Sequence, residues 1–213
     1  MTNHLTVSVS DKVDKEALNS PSIRKPTFME NERQCVIPLH KPSLKELIFF
    51  FASGVLVSIP FTLFFSQFYF LFPSALAVIV LAPFIEELAK VFPLFYRHGE
   101  TERSLVTLGI LIGLGFGISE LALYVAFMGA PLIDRIPGVI FHASSAAITA
   151  YGIAKKNPLP YYLLSVVLHV TNNFFAYEPA VPFGLFVESI VLIAVYLLAW
   201  RFYHQASKEK MVV

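Results

Sequence analysis

The sequence predicts an all-α, polytopic membrane helix bundle of about six transmembrane helices behind a disordered polar N-terminal tail. Of its 213 residues 56% are hydrophobic and only 15% charged, and the mean hydropathy is +0.65, far from the profile of a soluble domain. After residue 43 the apolar residues fall into six runs, each near the ~20 residues that a tilted spanning helix needs. Fourteen of the sixteen Lys and Arg residues gather before or at the start of the first run, at or after the end of the sixth and in alternate connections, the asymmetry that marks the cytoplasmic side.

Residues 1–43 are polar, mixed in charge and interrupted by Pro21, Pro26 and Pro38. They show no helical or strand period and no apolar core of a cleavable signal peptide, so they read as a cytoplasmic disordered tail. The spans are expected at 44–66, 68–96, 104–127, 137–154, 160–176 and 182–203, and 204–213 as a short cytoplasmic C-terminal tail. Arg135 alone lies on the opposite side and Lys90 inside a span, which puts both termini of an integral membrane protein in the cytoplasm. The single cysteine, Cys35, excludes an intrachain disulfide and a thiol nucleophile within the membrane. A net charge of +1 gives no reason to expect a nucleic-acid partner. No internal repeat of the kind that marks inverted-repeat transporters is evident.

Within the second span stands Glu86-Glu87-Leu88-Ala89-Lys90. A charge at the bilayer centre costs on the order of 2.5 kcal/mol or more and is rarely kept without a function. The spacing of Glu86 and Lys90 allows an internal ion pair. Glu87 points ~100° away around the helix and needs another partner. Pro83 is expected to kink the span, free the carbonyl of Ile79 and set both carboxylates in the first turn of a renewed helix. The third span carries Gly109, Gly113 and Gly117 as a small-residue ridge for close helix approach, with Glu120 on the same ridge and Phe116 four residues before it. His142, Ser145 and Thr149 share a face of the fourth span, and His169 and Asn173 a face of the fifth. Counted from the cytoplasmic ends, Glu86, Glu120, His142 and His169 lie within roughly 10 Å of one level. Glu188, alone in the last span near the outer interface, reads as structural.

Glutamates and histidines around buried water suit hydrolysis, the carboxylate taking a proton from water and a histidine or asparagine stabilising the oxyanion or protonating the leaving amine. The only aspartates, Asp11, Asp14 and Asp134, lie outside the spans and exclude a two-aspartate mechanism; there is no His-Glu-x-x-His pair and no Gly-x-Ser-x-Gly elbow. A glutamate-based site or a Glu/His metal site is left. A proton-coupled transporter or channel using the cluster as a relay, and a silent scaffold whose polar residues tie helices, are the readings from other classes.

In order and spacing, Glu86-Glu87-x-x-Lys90, Phe116-x-x-x-Glu120, His142 and His169-x-x-x-Asn173 resemble the PrsW family of intramembrane proteases, a relative of the membrane-bound prenyl-protein endopeptidases and bacteriocin-processing proteins. The resemblance covers about 81–176. It implies a multi-span all-α fold around a wet cavity and an endopeptidase acting on membrane-associated protein substrates in the bilayer. Carried over, it makes Glu86 the base that activates water, aided by Glu87 and a histidine, with Glu120 and His142 in the catalytic set, Lys90 and Ser145 supporting, and His169 with Asn173 as the oxyanion pair. The chain departs from the prenyl-endopeptidase branch at Val91, where that branch has arginine, and at Gly138, where it has phenylalanine. A metal-free mechanism without cofactor is the favoured expectation; the alternative is a divalent metal such as zinc on Glu86, Glu120, His142 and His169.

Overall fold

A computed structural model describes residues 41–67, 71–96, 100–177 and 183–212; the tail expected over 1–43 lies almost wholly outside them. Helix α1 (Leu44–Ser66) opens with a capping box: the Ser43 N–H donates to Glu46 Oε2 at 2.7 Å and the Glu46 N–H to Ser43 Oγ at 3.3 Å. A continuous helical segment follows, made of α2 (Ser74–Leu76), a π turn (Ala77–Leu81), α3 (Ala82–Val91) and a 3₁₀ turn (Phe92–Tyr96). Then come β1 (Glu100–Thr101), α4 (Glu102–Met128), α5 (Leu132–Ala154), α6 (Pro158–Tyr177), α7 (Gly184–Gln205) and β2 (Met211–Val212). About 86% of the described residues are helical, so the chain is all-α. Among them α4, α5 and α7 are long and apolar enough to cross a membrane by length and composition, which fits a membrane protein.

Helix α5 is the axis of the bundle, packing against α4, α6 and α7 and touching α3, while α1 lies along the other side of α4. Two thirds of its apolar window (67%) is buried against 17% of that of α7, so α5 is covered nearly all round and α7 turns Leu185, Phe186, Ile193, Leu197 and Trp200 outward. The glycine ridge of α4 makes the close α4–α5 approach. A Cβ on Gly113 would fall on the His142 carbonyl oxygen and within 2.7 Å of Ala143 Cα, and one on Gly117 within 2.8 Å of Val139 Cα. The ridge therefore packs within the chain. Gly113→Leu is expected to force α4 off α5 and prevent a monodisperse folded protein in detergent chromatography; a variant that elutes and melts like the parent would contradict this packing.

Pro83 is absorbed differently from the sequence expectation. The backbone stays right-handed helical through Leu81 (φ −67, ψ −42) and Ala82 (φ −57, ψ −51), and the Ala82 N–H reaches back five residues to the Ala77 carbonyl. The donor five residues after Val78 would be Pro83, which has no N–H. Asn173 Nδ2 supplies the missing bond, donating to the Val78 carbonyl at 3.1 Å. The carbonyl served from outside is thus Val78, one before the expected Ile79. No helix end opens beneath Glu86 and Glu87.

Residues 204–213, expected as a tail, dock back on the start of α4 as far as Val212. Glu100 and Thr101 pair antiparallel with Val212 and Met211, the Glu102 N–H donates to the Lys210 carbonyl, and Arg103 donates to the carbonyls of Ala206 and His204. Buried Glu102 accepts from Lys155 Nζ at 2.5 Å and from the Ser207 N–H at 2.9 Å, with Lys210 Nζ at 3.3 Å. Desolvation by burial would raise its carboxyl, but the hydrogen bonds from Lys155, the Ser207 N–H and Lys210 outweigh it and hold the group below the usual range. Removing residues 206–213 would strip these partners, at about 1–3 kcal/mol for each group left unsatisfied. A lower melting temperature is expected; an unchanged one would make the clasp incidental.

Candidate active site

Four helices bring the sequence-predicted residues together. Glu86, Glu120, His142, His169 and Asn173 line one cavity of about 650 Å³, with Tyr124, Arg135 and Glu188 among its other walls. The three predicted residues that do not line it, Glu87, Lys90 and Ser145, sit directly behind, each fully buried.

The helical rotation between adjacent residues separates the two glutamates. Lys90 pairs with Glu87 rather than with Glu86: its Nζ donates to Glu87 Oε1 at 2.6 Å and to Ser145 Oγ at 2.9 Å, and stands 3.0 Å from His142 Nδ1. Glu87 Oε1 also lies 2.8 Å from His169 Nδ1. This corrects the i,i+4 pair read from the sequence, because the three-residue step points Lys90 into the core while Glu86 faces the cavity. The Glu86 side chain is 14% exposed, and its Oε2 is 3.7 Å from His169 Nε2, beyond a direct hydrogen bond. On the opposite wall His142 Nε2 is 2.5 Å from Glu120 Oε2, and Glu120 Oε1 lies 3.6 Å from the Arg135 guanidinium. The histidine rings meet edge to face at 5.4 Å, flanked by Phe116 and Phe141. Behind them Thr149 donates to Ser165 and Ser165 to the Ser145 carbonyl, both at 3.0 Å, which ties α6 to α5.

Asn173 lines the cavity with one amide hydrogen committed to Val78, which leaves its second free to donate. Glu188, read as structural from the sequence, lines this cavity too, and so does Arg135, which the sequence marked only as the lone cation of its side. Arg135 folds over the Tyr124 ring at 3.7 Å toward Glu120. Its solitary sign was the available signal. For Glu188 the alternation of helix faces on α7 gave none, since only the approach of α7 to α6 and α5 decides what it faces.

Glu86, His142 and His169 each bring one ligand-type atom within 4.8 Å of the others. Both ring nitrogens of His142 are already engaged, by Lys90 and Glu120. Glu86 and His169 Nε2 are then the free donors, fewer than the three protein ligands of a catalytic zinc. Glu86, His142 and His169 could hold a metal ion together where His142 gives up one of these bonds. What it offers chemically is a carboxylate without a hydrogen bond and, 3.7 Å away, an imidazole nitrogen facing the same space, the imidazole backed by Glu87. No protein-family model, curated protein or solved structure matches the chain.

Proposed function

We propose that the chain is an intramembrane endopeptidase of the PrsW type, hydrolysing peptide bonds of membrane-associated protein substrates with a glutamate-activated water. The observation that carries this reading is the position of Glu86. Of Glu86, Glu87 and Glu120 it alone makes no hydrogen bond among the described residues, and unlike Glu188 on α7 it stands within 4 Å of a site histidine, in a cavity that two histidines and an asparagine share. Glu86 takes a proton from water as the oxygen attacks the scissile carbonyl. The free N–H of Asn173 donates to the oxyanion. His169, held by Glu87, serves the leaving nitrogen. His142 and Glu120 form the facing wall, steadied by Arg135. The site needs no cofactor and no step passes through a metal.

The helices besides α4, α5 and α7 complete six spans in this reading: α1 is as apolar as those three, and the α2–α3 segment and α6 carry Glu86, Glu87, Lys90, His169 and Asn173. The Lys155–Glu102–Lys210 contacts gather the basic ends of α4, α5 and the C-terminal segment, which supports the C-terminus on the cytoplasmic side of a cell membrane, and six spans then put the N-terminus on the same side. The cavity reaches Tyr124, Asp134, Tyr177 and Leu185 at the opposite end, so substrate enters from there. The partners are the bilayer and a membrane-anchored polypeptide, not a nucleic acid.

The hydrogen-bonded chain from Glu120 through His142, Lys90 and Glu87 to His169 also suggests a proton relay. Both of its ends face the same cavity, which favours hydrolysis over transport across the membrane. The test is full-length protein in liposomes with membrane-anchored peptides, in water enriched in heavy oxygen. New carboxyl termini carrying the label are expected; labelled termini absent, with Glu120-dependent solute flux instead, would replace this reading by the transporter.

A further inference from the structure

We infer that Lys90 is a positioning residue that locks the two site histidines in opposite tautomers, so that His169 meets the cavity with a proton-accepting Nε2. The inference rests on the hydrolase reading for its mechanistic consequence, but the lock itself stands on hydrogen-bond arithmetic.

An ammonium has three donors and no acceptor. Lys90 is fully buried, and its Nζ has three acceptors within 3.0 Å: Glu87 Oε1, Ser145 Oγ and His142 Nδ1. Ser145 is free to accept because its own hydroxyl donates to the His142 carbonyl at 3.3 Å. A proton on His142 Nδ1 would point at the ammonium and find nothing to accept it. His142 therefore carries its proton on Nε2, where Glu120 Oε2 accepts it. The same ammonium holds Glu87 as an acceptor, and Glu87 Oε1 takes the Nδ1–H of His169. The lone pair of His169 is left on Nε2, toward Glu86 and the cavity. One buried cation thus orders two imidazoles in opposite senses, directly for one and through a carboxylate for the other.

The consequence differs from what the family resemblance implied for His169. A ring with its lone pair on Nε2 is not a standing oxyanion donor; it is a proton carrier. The proton that Glu86 takes from water passes to His169 Nε2 and then to the leaving nitrogen as the C–N bond breaks, while the water oxygen forms the new C–O bond. Glu87 stabilises the imidazolium formed between the two transfers, the role a buried carboxylate plays beside a catalytic histidine. Asn173 is left as the oxyanion donor.

The test is nitrogen NMR of the full-length protein with ring-labelled histidine in lipid nanodiscs. His142 and His169 are assigned among the six histidines by the signals lost in His142→Asn and His169→Asn. Expected in the parent protein are a bare Nδ1 with a protonated Nε2 for His142, and the reverse for His169. A protonated Nδ1 on His142, or a protonated Nε2 with bare Nδ1 on His169, overturns the lock without any variant of Lys90. In Lys90→Met the His142 pattern should become a mixture, with hydrolysis reduced about 10²-fold; a folded Lys90→Met with the parent pattern overturns it as well. Opposite tautomers as stated, without peptide hydrolysis, would sink the endopeptidase and leave the lock standing.

Discussion

Glu86→Gln is expected to leave the protein folded and to lower peptide hydrolysis about 10³-fold, within the range that a general base supplies. The fold should tolerate the change because Glu86 accepts no hydrogen bond among the described residues and its side chain opens to the cavity. The amide fills the same volume but cannot take the proton of the attacking water. Glu87→Gln provides the contrast: that side chain accepts from Lys90 and faces His169 in full burial, so its loss is expected to lower the melting temperature together with activity. Initial rates on a membrane-anchored peptide, set beside melting curves, separate the two. Undiminished turnover by Glu86→Gln would remove the assigned base.

Lys90→Met is expected to be the most destabilising single change near the site. It preserves the bulk of the side chain but leaves Glu87 charged and buried, with His142 Nδ1 and Ser145 also short of a donor. Breaking a buried ion pair by removing one partner costs about 3–5 kcal/mol. The variant Lys90→Met/Glu87→Leu is expected to be more stable than Lys90→Met alone, because replacing both charges by apolar groups removes the uncompensated carboxylate. Its hydrolysis should stay at or below that of Lys90→Met, since His169 then has no acceptor at Nδ1. Unfolding followed by intrinsic fluorescence in detergent measures both. A Lys90→Met protein as stable as the parent would mean that the ammonium does not carry the network.

Much of the site was legible because hydrocarbon tolerates few ionisable groups. Glu86, Glu87, Lys90, Glu120, His142 and His169 stood out against apolar neighbours, and their depth along each helix followed from counting at 1.5 Å per residue. The helix ridge of Gly109, Gly113 and Gly117 was equally plain. The helices extend a few residues past the expected spans, α5 beginning at Leu132 rather than 137, because Pro137 interrupts the apolar pattern without ending the helix. The partner of Lys90 was not legible: three- and four-residue spacings both bring side chains together on a helix, and only the approach of α5 and α6 made Glu87 the inward carboxylate. The roles of Asn173, Glu188 and Arg135 depended likewise on neighbours that the linear pattern does not name.

The sequence by itself determined that the chain is helical, apolar and supplied with a costly set of glutamates and histidines at one depth, because hydropathy and the 3.6-residue period act locally along each segment. The tertiary structure decided which of those groups face open space and which serve as their supports. It bridged Pro83 with a π turn completed by Asn173, folded the C-terminal residues onto Glu102, and left Glu86 without a hydrogen bond while enclosing Glu87 with Lys90. Those outcomes depend on the rotation and separation of packed helices, set by glycine contacts and buried hydrogen bonds between residues far apart in the chain, which no periodicity within a single helix encodes.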